Sequence, residues 1–446
     1  MSDHPRDEFR TQLLNHTMRF AAAYVPAYGE VAYRCLSDVH ALAQLPSLPI
    51  LKKSDILMRP EAFRHISMEP HLIQHTSGTS GQILHVHRSK EELAAIESFF
   101  SKSDEPTDKT TPVIISILGS TTDAIQTPAP AVGQVFRLNL RDPTWRSRIQ
   151  DVVRAPWEYV EGTHHARPAV IVGLESDLRV LTALLRECSF DFSSASISSL
   201  ITSGDVITRR LRRYYESTWR APLFDQYGLS EIFGSCNQCG VCGHLHPDPH
   251  VIMEVVNPIS SEPVSDGVGI AVFTTLAPFV QCQPFIRYWS GDLVEISEVS
   301  CPVDLLGFRL LGRLYKSVSL PGLTGSGIVL SAIEAYDALD DFSEIASSGM
   351  FKWLWEIKDH SQLGHLKFDL RMDSDRGSHT LVATIETRFT PHLYPEQSES
   401  LKFRIRDALC KRSGSLRESI QAGHMSLRIN LKPPGSIDSF MPDMVE

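Results

Sequence analysis

Between residues 112 and 233 one pattern recurs: a short apolar run, a polar turn, then an amphipathic segment with helical spacing. "PVIISIL" is followed by "ARPAVIVGL" leading into "ESDLRVLTALLREC", then by "SISSLITSG" leading into "DVITRRLRRYYESTW", then by "PLFDQYG". Near-continuous apolar strands are what a parallel sheet covered by helices requires, because both faces of such a sheet are buried. Its ligands sit in the turns at the carboxyl ends of the strands, so function is expected there.

The flanks read differently. Residues 6–45 are expected to be helical, with Phe9, Leu13, Met18 and Phe20 near turn spacing before "VPAY" breaks the helix, and "LPSLPILKKSDIL" reads as a loop followed by a helix capped by Ser54. From 250 to 311, "HVIMEVVNP", "GIAVFTTL", "PFIRYW", "DLVEISEV" and "FRLLGRL" are short, β-rich and split by Gly, Pro and Asp turns, which predicts an antiparallel region. A glycine-rich connection, "SVSLPGLTGSGIV", precedes strands and a helix that form a small α+β unit. The expected fold is therefore α/β. A large N-terminal domain (1–313) combines helix-covered parallel sheets with a β-rich subdomain, and a small mobile α+β domain (314–446) follows a hinge near 313–316.

With 446 residues and 42% hydrophobic composition, the chain can bury a core large enough for two or more domains. A formal charge of -10 disfavours broad binding to nucleic acid or an anionic membrane and favours a small-molecule partner. "MSDHPRDEFRTQLLNHTMRF" is charged throughout and no later run is apolar for a bilayer's width, so a soluble cytoplasmic protein is expected. Eight cysteines are too few for a disulfide framework.

Three of those cysteines crowd into "CNQCGVCGHLH". Cys236, Cys239, Cys242, His244 and His246 offer three thiolates and two imidazoles in one loop, the donors tetrahedral zinc takes, so a structural zinc is expected on the three cysteines and one of the histidines. His250 is a substitute, an iron-sulfur cluster lacks an evident fourth cysteine, and a zinc-ribbon nucleic-acid module conflicts with the acidic balance. Cys188, Cys282, Cys301 and Cys410 are isolated in sequence and read as packing residues.

The turns carry the rest of the chemistry. In "QHTSGTSGQILH", residues 74–85, backbone N–H groups and hydroxyls can converge on a phosphate, although a surface turn has the same composition and the Walker spacing is absent. "DQYGLSE" sets Tyr227, Gly228 and Glu231 in one turn, "YWSGDL" sets Asp292 where it can accept two sugar hydroxyls, and "LLGRLYKS" sets Arg313 within reach of an anion. Each has a plainer reading: a core tyrosine, a turn-forming aspartate, a solvated arginine. His75, His85, His87, His164 and His165 read as structural or solvated.

In this order the motifs resemble the adenylate-forming superfamily of acyl-CoA synthetases, adenylation domains and luciferases, in its phenylacetate-coenzyme A ligase-like branch. The carriers are "HTSGTSGQ", "TSGD", "QYGLSE", "IRYWSGDL", "LLGR" and "EVVNPISSEPVSDGVGIAVFTTL". The resemblance implies that Thr76, Ser77, Gly78, Thr79, Ser80 and Gly81 wrap the phosphates of ATP and that Glu231 holds Mg²⁺. By the same resemblance Ser203, Gly204 and Asp205 line adenine, Asp292 binds ribose, Arg313 contacts ribose or phosphate, and Tyr227 and Gly228 wall the acyl pocket. It also implies activation of an aromatic or arylacetic acid as its acyl-adenylate, AMP being the leaving group, with transfer to coenzyme A or to an amine or hydroxyl acceptor; a homodimer is an admissible assembly.

Three positions depart from the family pattern. Gln82 stands where the phosphate loop ordinarily ends in lysine, and Tyr315 and Lys316 replace an acidic pair at the hinge. The tail "INLKPPGSIDSFMPDMVE" has Lys432 as its sole candidate for the catalytic lysine, while direct alignment brings Phe440 to that slot. The contrasting expectation is a degenerate member that binds acyl-adenylate or AMP, or performs the second half-reaction alone.

Overall fold

The computed structural model describes the chain apart from residues 1–4, 34–35, 37–38, 77–81, 104–112, 119–133, 141, 155–156, 159–164, 167, 321, 324, 349–363, 376 and 438–446. It opens with α1 (Pro5–Tyr24), which buries Leu14, Met18 and Ala21 along one stripe. The helix stops at Tyr24, at the break expected in "VPAY", where Pro26 lacks the N–H an α-helix needs; the rest of the stretch to residue 45 holds short 3-10 turns, such as Pro26–Gly29 and Leu42–Ser47, among its described residues. In α2 (Lys53–Met58) the N-cap is Lys52, whose N–H donates to Asp55 at 2.8 Å, so Ser54 lies inside the first turn and caps nothing.

A hairpin of its own follows, β1 (Leu72–His75) with β2 (His85–Arg88), then α3 (Lys90–Ser103). Next come β3 (Val113–Leu118), β4 (Gln134–Asn139), α4 (Pro143–Ser147), α5 (Ile149–Arg154), β5 (Trp157–Glu158) and β6 (His165–Ala166). The strand–turn–helix alternation is realised as β7 (Pro168–Leu174), α6 (Glu175–Glu187), β8 (Ser199–Ser203), α7 (Arg209–Trp219) and β9 (Leu223–Leu229). In α7, Leu211, Tyr215 and Trp219 recur every four residues on the buried side, which leaves the arginines of "RRLRR" to other faces.

The β-rich region contributes β10 (Gly234–Gln238), β11 (Leu245–Pro247), β12 (Val251–Val256), β13 (Gly267–Thr275), β14 (Tyr288–Glu298) and β15 (Leu306–Arg313). It is not a separate sheet. One eleven-stranded sheet runs β12-β13-β14-β15-β11-β10-β9-β8-β7-β3-β4. Strand β9 pairs parallel with β8 on one side and antiparallel with β10 on the other, so it is the seam between the two halves. Ile171, Leu200 and Trp219 anchor the core of the parallel half, while Ala271, Phe273, Val294 and Phe308 anchor that of the antiparallel half.

Beyond β15 lie β16 (Val318–Ser319), β17 (Ile328–Leu330), α8 (Ala332–Leu339), β18 (Phe368–Asp375), β19 (Ser378–Glu386), α9 (Pro395–Arg412), α10 (Gly414–Gln421) and β20 (Ser426–Lys432). These elements share their own core, built on Leu381, Ile385, Leu401 and Ile405. Gly312 has φ +95 and a Cβ there would lie 2.8 Å from that of Ala332, so only glycine lets α8 pack on the end of β15. Two carboxylates of α8 and its C-terminal end also meet the start of α7: the N–H of Arg209 donates to Asp337 at 2.8 Å and the Thr208 hydroxyl to Asp340 at 2.7 Å. Arg210 faces Asp340 at 3.7 Å and Arg213 faces Asp341 at 3.9 Å.

Candidate functional site

The turns on either side of β9 and the neighbouring ends of β14 and β15 bring the motif residues together. Asp292 and Arg313 are cross-strand partners, with Arg313 Nε 3.0 Å from Asp292 Oδ1. Arg313 also donates to the Ser290 carbonyl at 3.0 Å, which holds the guanidinium in the plane of the pair. The other oxygen of Asp292 accepts from the Tyr227 hydroxyl at 2.7 Å. Burial pushes the Asp292 carboxyl up, and Arg313 pulls the other way.

Tyr227 is turned into the core, where its ring packs on Phe273 and Phe308. Its hydroxyl orients Asp292, while Gly228 next to it is exposed. Strand alternation explains the outcome, since Tyr227 and Gly228 lie on opposite faces of β9. Glu231 is buried and accepts from the Tyr288 hydroxyl at 2.7 Å.

Thr76 closes the stem of the phosphate loop: its N–H donates to Leu84 O at 3.0 Å, and its hydroxyl accepts from Leu84 N–H at 3.0 Å. Ser77, Gly78, Thr79, Ser80 and Gly81 lie outside the described residues, as do His164 and Phe440. The Thr76 hydroxyl also accepts from Lys53 Nζ at 2.9 Å. Burial lowers the Lys53 ammonium from the usual lysine range, with Glu231 opposing and Arg313 reinforcing that shift. Lys53 therefore stands among Thr76, Glu231 and Arg313. The sequence reading missed it, although two lysines opening a helix, where the helix dipole disfavours cations, are a signal in themselves.

Ser203 ends β8, and Gly204 turns at φ +90 where a Cβ would meet Leu174 at 2.8 Å. Asp205 follows and faces His365 of the C-terminal unit at 3.5 Å. A cavity of about 320 Å³ opens beside it, lined by Asp205, Arg210, Tyr336 and His365 among others. It borders the turn at Gly204 and Asp205 and includes neither Glu231 nor Asp292. Lys432 is exposed on β20 and lines a cleft with Pro391, His392 and Lys402, all of the C-terminal unit. It therefore lies within the C-terminal unit and is not gathered with Thr76 and Glu231.

Asp225 on the seam strand is pushed up to about 6 by burial, with Arg212 pulling the other way. A folded value above the unfolded one means that the folded chain binds more protons, so stability falls as pH rises from about 4 through that value. Asp225→Asn is expected to raise the melting temperature more at about pH 7.5 than at about pH 4.5. Equal shifts at both would refute the assignment.

The cysteine loop gathers a different set from the one its spacing suggests. Cys239, Cys242, His246 and Cys301 place their donor atoms within 4.8 Å of one another. Cys236 is excluded because it sits within β10, fully buried with Tyr227, Phe273 and Phe308 in the apolar core. Cys301, expected as packing, is carried in by the turn between β14 and β15. Cys239 Sγ and Cys301 Sγ are 3.8 Å apart, and Cys242 Sγ lies 3.0 Å from His246 Nε2. A zinc tetrahedron with bonds of about 2.3 Å has edges of about 3.8 Å, so the donors fit. His246 Nδ1 contacts Leu306 O at 2.9 Å, which leaves Nε2 free to ligate. His244 instead turns Nδ1 to the Cys242 carbonyl, and His250 bonds the Phe233 carbonyl.

With its parallel-to-antiparallel seam and the paired Asp292–Arg313 beside it, the chain carries the fold of the adenylate-forming enzymes. It aligns with an open conformation of 2-hydroxyisobutyryl-CoA ligase bound to 2-HIB-AMP and CoA at a TM-score of 0.66, with 16% identity, covering 98% of this chain and 90% of that one. It is 28% identical over 175 residues to the phenylacetate-coenzyme A ligase of Thermus thermophilus, 38% of this chain and 39% of that protein. To the phenylacetate-coenzyme A ligase of Escherichia coli it is 30% identical over 124 residues, 27% of this chain and 28% of that protein. The chain thus spans about two fifths or less of the length of the curated relatives it matches. No family model matches the sequence. Parts of the sequence are thus similar to phenylacetate-coenzyme A ligases, and the fold is that of the CoA ligase it aligns with.

Proposed function

We propose that this protein is an ATP-dependent acid–thiol ligase, which joins a carboxylic acid to AMP and passes the acyl group to coenzyme A. The observation that carries the reading is the gathering of Thr76, Lys53, Glu231, Asp292 and Arg313 about one seam in the sheet. A carboxylate is a poor electrophile; its attack on the α-phosphate releases pyrophosphate and yields a mixed anhydride, which a thiol then opens with loss of AMP. In that scheme Asp292, held by Tyr227 and Arg313, accepts the ribose hydroxyls, and Ser203, Gly204 and Asp205 line adenine. Thr76 and the loop after it present donors to the phosphates, and Lys53 supplies the cation that Gln82 does not. Glu231 would hold Mg²⁺, which when bound neutralises phosphate charge. An aromatic or arylacetic acid is the proposed substrate, on the strength of the phenylacetate-specific names of the relatives.

The unit after residue 313 is proposed as a lid that rotates between half-reactions, with Lys432 reaching the site only after rotation. Cys239, Cys242, His246 and Cys301 are proposed to hold a structural zinc that ties the β10–β11 turn to the β14–β15 turn. A second reading, a protein that binds acyl-adenylate or AMP without making it, draws on the position of Lys432 among C-terminal residues.

ATP–pyrophosphate exchange against a panel of aromatic and arylacetic acids separates the two. Exchange with one acid, reduced about a hundredfold in Lys53→Ala, is the expected result. ATP binding with no exchange across the panel would refute the ligase reading in favour of the second.

A further inference from the structure

We propose that Arg88 is a positioning residue that clamps the turn carrying Glu231 and so fixes that carboxylate against the phosphate loop. The inference rests on the reading of Glu231 as the Mg²⁺-holding carboxylate. Arg88 ends β2, the strand that returns from the phosphate loop, and its partner across the hairpin is Leu72. Its side chain is fully buried. The two hydrogens of Nη2 reach the carbonyls of Ser230, at 2.7 Å, and of Glu231, at 2.9 Å. The guanidinium lies over the ring of Phe233, 4.8 Å from its centre. Phe233 itself has φ +45, a left-handed conformation that an aromatic residue adopts only where its surroundings enforce it.

Three contacts from one side chain therefore hold a strained turn. The cost of placing Arg88 there is high, because burying a cation without an ion pair is unfavourable by several kcal/mol. Among the described residues no carboxylate pairs with Arg88, and its Nε and Nη1 have no hydrogen-bond partner. Glu92, whose charge acts on Arg88, has both oxygens occupied by the N–H groups of Ser89, Gln281 and Cys282. A residue that served packing alone would be an aliphatic of similar volume. What Arg88 adds is the pair of carbonyl bonds, and these stand at the backbone of Glu231 while Tyr288 holds its carboxylate at 2.7 Å.

The hairpin connects this clamp to Thr76, so it behaves as a strut with Thr76 and Leu84 at one end and the Glu231 turn at the other. A carboxylate that is displaced by a fraction of an ångström loses metal affinity, while a nucleotide contact that needs no metal is unaffected.

Calorimetry of ATP binding at varied Mg²⁺, together with AMP binding in the absence of metal, tests the proposal on the full chain. Arg88→Lys keeps the charge without the fork, and Arg88→Met keeps the volume without the charge. Both are expected to need about tenfold more Mg²⁺ for half-maximal enhancement of ATP binding, with metal-free AMP binding unchanged. An unchanged Mg²⁺ midpoint in either folded variant, while Glu231→Gln abolishes the enhancement, overturns the role of Arg88 alone. Full enhancement in Glu231→Gln overturns the reading of Glu231 as well. Should both Arg88 variants fail to fold, Phe233→Leu removes the stacked ring instead; a midpoint raised severalfold supports the clamp and an unmoved one overturns it.

Discussion

Asp292→Ala is expected to weaken AMP binding by about a hundredfold or more, read by calorimetry at constant salt. Two effects add. The ribose hydroxyls lose a charged acceptor, and two groups, the buried Tyr227 hydroxyl and the half-exposed Arg313 guanidinium, lose the carboxylate that organises them. The second effect is separable. Asp292→Asn keeps the shape and one acceptor oxygen, so it should restore much of the melting temperature while leaving most of the binding defect in place. If Asp292→Asn bound AMP as tightly as the native chain, Asp292 would be a structural member of the pair and the nucleotide site would lie elsewhere.

Cys301→Ser is expected to remove zinc from a protein that otherwise carries about one zinc per chain, and to lower its stability by several kcal/mol, since metal binding to a site of this kind is coupled to folding. Cys236→Ser is the informative partner. It lies six residues before Cys242 in the same motif, yet its thiol faces the apolar core, so zinc content should be retained although packing is disturbed. Metal analysis of both variants decides between the spacing of the motif and its folded geometry. Zinc lost from Cys236→Ser and kept in Cys301→Ser would restore the set suggested by sequence and refute the one gathered here.

The contrast between Cys236 and Cys301 shows what a sequence can and cannot disclose. Alternation of apolar strands and amphipathic helices made the parallel half legible, because burial on both faces leaves so little freedom in composition. The motif order made the Asp292–Arg313 pair legible as candidates. What the linear pattern hides is which face of a strand a residue occupies and which distant turn comes beside it. Cys236 and Tyr227 are opposite each other on neighbouring strands, and that pairing sends both side chains inward. Cys301, Lys53 and Arg88 enter their clusters from segments 59, 178 and 142 positions away from Cys242, Glu231 and Ser230 respectively. Only tertiary packing supplies that information. The antiparallel character of the β-rich region was legible for the same local reason, but its continuity with the parallel half is decided by β9, whose two edges differ.

The contact between α7 and α8 has a consequence of its own. One helix presents Arg209, Arg210 and Arg213, and the other element presents Asp337, Asp340 and Asp341, with the bonds to Arg209 N–H and Thr208 giving the match its register. Such a face is cohesive yet wettable. Each group is comfortable in water, unlike an oily surface. Dissolved ions compete for the same charges over a distance of about 10 Å at moderate salt. The strength of this contact is therefore set partly by the medium, so it becomes a property the protein shares with its solution.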